Sequence, residues 1–475
     1  MGDLTLFLPE LVVFAAALVA FMGSAFSPSY RVTWTLVTLV SAGAVVATAA
    51  MLHAEGEPFF PGIYHVDLFS QLMKLGLTGG LLLTLLISAE MPSVRSKARH
   101  DVPFFLTLGT LGMMILVSAT ELLTLFVGLE LSAYALYVLV ALHRRQRMAS
   151  EGAAKYLLYG AAASALTLYG LSLMFGATGS TLMSDLVAAP LTPLFVVGLV
   201  LALSGLLFKL AVLPFHAWAP DTYEAAPHQA AAFVASASKV AAVAILVRVL
   251  TLAVDRDGDG GAEVVQTLLV ALAVVTMTVG NLAALAQKDL KRLLAWSTVA
   301  HAGYVLLGLM TLSELGFAAA LFYALIYLLV AFGAFVIVCA VGRDGDNPTM
   351  DDLAGLYRRA PLLGVLLLAA MFGLAGVPPT PGFAGKWFLF SAAMDGGYFA
   401  IVLIGAVNAT ISLYYYLRVV RAAYQTTTEA PPPLPLSLGY RLATWATLGL
   451  ITFTGVYPGP LWELCEGAAR AVLGG

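Results

Sequence analysis

Of the 475 residues, 60% are hydrophobic and 11% are charged, less than half the roughly 25% charge of an ordinary soluble domain. So little charge cannot cover a water-facing surface, whereas apolar runs of about 20 residues suit the hydrocarbon core of a bilayer. A net charge of −3 gives no basic field for nucleic acid, and two cysteines fall short of the four ligands of an iron–sulfur cluster.

The sequence reads as an all-α polytopic membrane protein of about fourteen transmembrane helices. In chain order the spans are 4–26, 32–52, 68–90, 102–119, 122–142, 154–176, 191–219, 229–252, 263–285, 293–311, 315–341, 361–395, 398–421 and 438–457. No basic residue precedes Arg31, so the first run lacks the positive flank of a secretory signal and is expected to stay as a span. Two spans are interrupted. The seventh contains Leu213-Pro214-Phe215, and the twelfth contains Val377-Pro378-Pro379-Thr380-Pro381-Gly382. Proline removes a backbone donor and clashes with the preceding turn, so helices 7 and 12 should be broken.

Seventeen of the 24 basic residues fall in loops on one side, from Arg31 to Arg441, and three, Arg248, Arg256 and Arg470, fall on the other. The positive-inside rule then places both termini outside. Asp255-Arg-Asp-Gly-Asp-Gly260 begins like a calcium loop but has Gln266 where the closing glutamate would stand, so it reads as a polar turn. Pro431-Pro432-Pro433 reads as a stiff connector.

The remaining four lysines, Lys74, Lys209, Lys239 and Lys386, lie inside spans. A charge near mid-bilayer costs about 2.5–3.5 kcal/mol on insertion scales, so such residues tend to mark ion pathways. Lys74, near a span end, is expected to snorkel. Lys209 and Lys386 each adjoin a break, where irregular backbone normally lines a cavity. Glu130, in the fifth span, reads as the one acid deep in the membrane and as the counter-charge of Lys209. Burial works against an ammonium and a nearby carboxylate works for it, so a poised lysine can load and release a proton. His301, in the tenth span, can bridge such sites, and His216 beside the first break is either part of the pathway or a structural cap. Lys209 precedes its break, near carbonyl ends that favour a cation, whereas Lys386 follows its break, near amide ends that disfavour one. Trp218 and Tyr223 read as interface anchors. Asn281 and Asn408 could bridge helices or hold water.

The two lysine-bearing breaks are five helices apart, and an odd-numbered unit repeats with inverted topology. The single membrane domain, 1–475, therefore divides into helices 1–3 (1–101), a first repeat of helices 4–8 (102–252), a second of helices 9–13 (263–421), and helix 14 (438–457). No Walker A sequence, no G-x-G-x-x-G after a strand and no hydrolytic motif is present.

The stretch from Leu207 through Lys209, Pro214, His216 and Trp218 to Asp221 resembles the broken seventh helix of the antiporter-like membrane subunits of respiratory complex I. Gly376-Val-Pro-Pro-Thr-Pro-Gly-Phe-Ala-Gly-Lys386 resembles their twelfth helix, and Asp289 to Tyr304, with Ser297 and His301, their tenth. Lys155-Tyr156 to Ser164 and Ser236-Ala-Ser-Lys239 are most similar to the N-type subunits. The resemblance covers essentially the whole chain. It departs at Ala226-Pro227-His228-Gln229, where relatives usually have Pro-Thr after the first proline. The resemblance implies proton translocation by Glu130, Lys209, Lys239, His301 and Lys386, coupled to NADH:quinone electron transfer elsewhere. No cofactor is then expected in this chain. NAD, FMN, iron–sulfur clusters and quinone would belong to partner subunits, and the partners would be the other membrane subunits, homologous antiporter-like ones included. A subunit of a multi-subunit Na⁺/H⁺ antiporter is the alternative.

Overall fold

The computed structural model describes residues 4–26, 29–57, 61–143, 146–254, 260–342, 345–426 and 432–474. The expected turn at 255–259, the loop residues Arg144, Arg145, Arg256 and Arg343, and Pro431 lie outside the described residues.

The helices, in chain order, are α1 (Leu8–Phe26), α2 (Tyr30–Ala50), α3 (Leu68–Leu86), α4 (Asp101–Ser118), α5 (Leu122–Ala141), α6 (Gln146–Thr178), α7 (Met183–Ala188), α8 (Pro193–Leu210), α9 (Trp218–Ala225) and α10 (His228–Ala235). They continue as α11 (Ala237–Leu250), α12 (Gly260–Leu285), α13 (Leu290–Leu309), α14 (Glu314–Val341), α15 (Leu356–Arg359), α16 (Pro361–Ala375), α17 (Pro381–Asp395), α18 (Phe399–Tyr424), α19 (Leu438–Val456) and α20 (Gly459–Gly474). Among the described residues, 11 helices are long and apolar enough to cross a membrane, or up to 12 if α16 is counted with the bent segment before it. The other expected spans are filled by α13, which carries Lys291 and Arg292 in its first turn, by α16 with α17, each only 15 residues, and by α19. Their shortness or polarity is why composition alone does not single them out.

Helix starts follow from local chemistry. Asp67 accepts from the Ser70 amide at 2.6 Å while Ser70 Oγ accepts from the Asp67 amide, which starts α3 with reciprocal caps. Glu121, Thr192, Asp289 and Ser313 cap α5, α8, α13 and α14 in the same sense, each satisfying a free amide of the first turn.

The packing repeats. In the first half α4 lies along α5, α5 meets α6, α6 meets α8, and α11 meets both α4 and α8. In the second half α12 lies along α13, α13 meets α14, α14 meets α16 and α17, and α18 meets both α12 and α16. The same neighbours recur five spans later, as the two broken prolyl segments led one to expect. Burial does not follow this symmetry. The span from His228 to Ala253 and α14 are almost wholly buried where the halves meet, whereas α6 and α18 are mostly exposed. Large apolar side chains such as Phe14, Leu39, Leu158, Tyr169, Leu403 and Trp445 stand on the outside, as they should where the surrounding solvent is lipid.

Loop contacts divide the ends into two faces. On one, Lys155 pairs with Asp221, Arg292 with Asp221 and Glu224, and Arg418 donates to the Leu285 and Gln287 carbonyls. We call this the basic face. Burial opposes the Asp221 carboxylate, but Lys155 and Arg292 more than offset that and hold it below its ordinary value. On the opposite face, poor in basic residues, Gly56 bridges Val66, Tyr64 bridges Ala119, and Glu121 bridges Leu182.

Candidate functional site: two broken helices and a line of lysines

The first break begins at Ala211, which takes φ 70 and ψ 40, and the second at Gly376, with φ 82 and ψ 44. In both, the next amide reaches back to close the helix, Val212 to the Leu207 carbonyl and Val377 to the Phe372 carbonyl. This is the left-handed helix stop. In both, the peptide before the residue three positions on, Pro214 or Pro379, is cis. Glycine suits positive φ at no cost, and alanine does not. A side chain on Gly382 would also run into the Gly373 carbonyl, so the second break folds tightly on itself.

A helix that stops inside a membrane leaves carbonyls without donors. Each break meets this need with a lysine. Lys239 Nζ, on α11, donates to the Lys209 carbonyl at 2.8 Å, two residues before Ala211. Lys386 Nζ, on α17, donates to the Leu374 carbonyl at 3.2 Å, two residues before Gly376, and to Ala375 at 2.7 Å. Each ammonium also faces an aromatic ring, Lys239 over Trp218 at 4.9 Å and Lys386 over Tyr304 at 4.8 Å, a contact that favours the charged form. The expectation that Lys386 sits at amide ends is therefore corrected. Its side chain is long enough to reach back across the break to the carbonyl end of α16.

Lys209 is buried and donates to Ser132 Oγ at 2.7 Å. Glu130, two residues before Ser132 on α5, accepts from Ser164 Oγ at 2.5 Å. No contact within 4.0 Å pairs Glu130 with Lys209 among the described residues; each bonds its own serine, Ser164 for Glu130 and Ser132 for Lys209. Lys239 and His301 line one cavity of about 10 Å³ with Leu210, Thr298 and Tyr327, about the space of a single water. His301 is held from both sides, Nδ1 to Tyr323 Oη at 2.7 Å and Nε2 to Tyr416 Oη at 2.9 Å. Tyr416 goes on to Ser297 at 2.5 Å. Tyr304, whose ring lies under Lys386, is 6.1 Å from the His301 ring. Four of the six expected residues, Lys209, Lys239, His301 and Lys386, are buried in succession, and Glu130 lies half-buried beside the first of them. His216 does not join them: it is half-buried, 5.4 Å from the Trp296 ring.

Three expectations fail here. Lys74 does not snorkel. It is fully buried and pairs with Glu10 at 2.8 Å, so Glu130 is not the one acid deep in a span. Trp218 and Tyr223 are not interface anchors. Both are core, Trp218 stacking on Tyr156 at 4.4 Å and donating to the Phe208 carbonyl. Arg248 is buried at the end of α11 with Asp67 at 3.4 Å. Asn281 and Asn408 do bridge helices, at 3.2 Å, with Tyr415 closing on Asn281. The sequence reading missed Ser132, Tyr323 and Tyr416. Their signal was a hydroxyl at a membrane depth where every polar group needs a partner.

Cys339 and Cys465 are free and buried on α14 and α20. Among the described residues no group of three or more His, Cys, Asp or Glu could hold a metal ion. These donors do not fit an iron–sulfur cluster.

Residues 119–412 match the family described as NADH:quinone oxidoreductase/Mrp antiporter, TM. The chain is similar to "NADH-quinone oxidoreductase subunit N 2" of Syntrophobacter fumaroxidans, 45% identical over 98% of this chain and 99% of the relative. It is 40% identical to the protein of the same name from Opitutus terrae, over 95% of each. Among solved structures it resembles a chain of respiratory complex I from Thermus thermophilus, with TM-score 0.82 and 34% identity over 96% of this chain and 99% of that one. A chain of the Mrp complex from Dietzia shares the fold, with TM-score 0.88 at 22% identity over 99% and 98% of the two chains. The chain belongs to the NADH:quinone oxidoreductase/Mrp antiporter membrane family, as a relative of its N subunits.

Proposed function

We propose that this chain is a proton-translocating subunit of an NADH:quinone oxidoreductase in a bacterial inner membrane, with Glu130, Lys209, Lys239, His301 and Lys386 as its conducting residues. The observation that carries the reading is the pair of breaks, each with an ammonium on the same stranded backbone carbonyl, joined by a histidine held between two tyrosines. An ammonium so placed is stabilised while charged and leaves the carbonyls short of a charged donor when it loses its proton. Proton transfer and the packing of the break are thereby coupled.

The basic face is taken as cytoplasmic and both termini as periplasmic. Protons enter to Lys209, whose charge responds to the field of Glu130. They pass laterally by Lys239 and His301 and leave by Lys386. His216, away from this line, is a structural neighbour of the first break. Moving one charge against 100 mV costs about 2.3 kcal/mol, so the drive comes from redox chemistry in partner subunits. NAD, FMN, iron–sulfur clusters and quinone belong there, and the partners in the membrane include homologous antiporter-like subunits.

The test is the native complex in sealed vesicles, with NADH oxidation and lumen acidification read together. Lys209→Ala and Lys386→Ala should assemble, oxidise NADH and acidify poorly. Full acidification by both would end the proposal, and a flux that needs sodium would favour an Mrp-type antiporter.

A further inference from the structure

A third buried ammonium sits on stranded carbonyls, away from both breaks. Lys291 reads in the sequence as one of the loop residues of the basic face, yet it is fully buried in the first turn of α13. All three of its N–H groups find acceptors. Nζ donates to the Glu224 carbonyl at 2.8 Å, to the Ala226 carbonyl at 2.7 Å and to Asn347 Oδ1 at 3.0 Å. These are neutral oxygens, and two of them belong to the end of α9, which must stop because Pro227 follows. Asn347 Nδ2 holds the Glu224 carbonyl as well, at 2.9 Å. Arg292, the next residue, grips the Asp221 and Glu224 carboxylates of the same helix.

Two rigid arms leave this clamp. One is α9 itself, eight residues and about 12 Å long at 1.5 Å per residue. Its far end is Trp218, whose ring lies on Lys239 Nζ at 4.9 Å and whose Nε1 donates to the Phe208 carbonyl at 2.9 Å. The other arm is α13, which packs along α9 and carries His301 about 15 Å beyond Lys291. Lys239 and His301 then meet across the cavity of about 10 Å³.

A gap of one water tolerates little error. A displacement of about 1 Å, caused far from the reacting atoms, can cost on the order of 100-fold in rate. The clamp joins the two sides of that gap. Asn347 shows that a neutral donor can cap Glu224. The ammonium adds charge-assisted bonds, roughly twice as strong, at a junction whose far ends must stay in register.

We propose that Lys291 is a positioning residue that holds α9 on α13 and thereby sets the gap between Lys239 and His301. Without its ammonium the Ala226 carbonyl loses this donor and Glu224 keeps only Asn347. The end of α9 then slides on α13, Trp218 moves on Lys239, and transfer across the gap slows. This rests on the translocation reading above.

The test uses the whole complex in sealed vesicles and reads the acidification rate per assembled complex, in H₂O and in D₂O. Lys291→Met has similar length and no donor. It should assemble, lower the rate about tenfold and raise the solvent isotope effect, because the lengthened proton transfer becomes the slow step. A wild-type rate overturns the proposal. A lowered rate with the wild-type isotope effect overturns it too, since the defect then lies outside the transfer. Should Lys291→Met not assemble, Asn347→Leu decides, because it removes the bonds to Lys291 and Glu224 from a half-buried loop position. A slower rate with a raised isotope effect supports the proposal, and any other result overturns it. Lys239→Met, in the same membranes, separates this role from the reading beneath it. If it acidifies at the wild-type rate, the translocation reading fails. If it does not acidify while Lys291→Met does so fully, only the positioning role is lost.

Discussion

The two breaks have nearly the same backbone and different chemistry around it. Both stop at a left-handed residue, and both give the carbonyl two residues earlier to a lysine that also faces an aromatic ring. In the first half that lysine, Lys239, comes from the following span, and the carbonyl belongs to another lysine, Lys209. In the second half the lysine, Lys386, comes from beyond the break of its own span, and the carbonyl belongs to Leu374. The first break therefore gathers two lysines near Glu130, while the second has one lysine beside His301 and tyrosines. Where like charges crowd, the gain of one proton disfavours another. Under the proposed function, the first half would pass charge on and the second receive it.

The largest effect should come from removing either capping lysine. Lys239→Met and Lys386→Met each leave stranded carbonyls, at about 1–3 kcal/mol for a buried group left unpaired, and each should abolish acidification in vesicles while assembly is followed on native gels. If only one of the two does so, the breaks are not equivalent. Next, Ser132→Ala takes away the side-chain partner of Lys209 and Ser164→Ala that of Glu130, so each should slow pumping as Glu130→Gln does. A wild-type rate in either serine variant would take that bond out of the mechanism. Tyr416→Phe removes one of two partners of His301 and should slow acidification, roughly tenfold for each 1.4 kcal/mol added to the limiting step. A normal rate there would take Tyr416 out of the relay. The smallest effect is expected from Ala211→Gly, which makes the first break match the second. Relief of left-handed alanine should stabilise the fold by about 1 kcal/mol, seen as a higher unfolding temperature of the purified complex, with pumping unchanged.

Much of this was written in the chain. Lys209, Lys239, Lys386, Glu130 and His301 stand out because each interrupts an apolar run, and the halves show in two prolyl segments at matching positions. What each lysine touches was not legible. Lys239 bonds a carbonyl 30 residues away, and Lys386 reaches backward over a break whose local dipole suggested the reverse. Lys74 was misread for the same reason. Snorkelling is a local argument, and its partner, Glu10, lies 64 residues earlier on another helix. Trp218 follows a break and looks interfacial, yet packing folds that segment into the core. Spans and charges are one-dimensional signals, whereas pairing depends on how helices cross.

If protons cross from one half to the other as proposed, they do so at the cavity between Lys239 and His301. It is about 10 Å³. A proton crosses such a space by exchange of hydrogen bonds through one water. A metal cation instead needs several oxygens to replace its hydration shell, and this cavity is walled largely by Leu210, Val243, Ala302, Val305 and Ala324. On the proposed reading, a passage of this size and lining suits a proton relay and leaves no room for a coordinated metal cation.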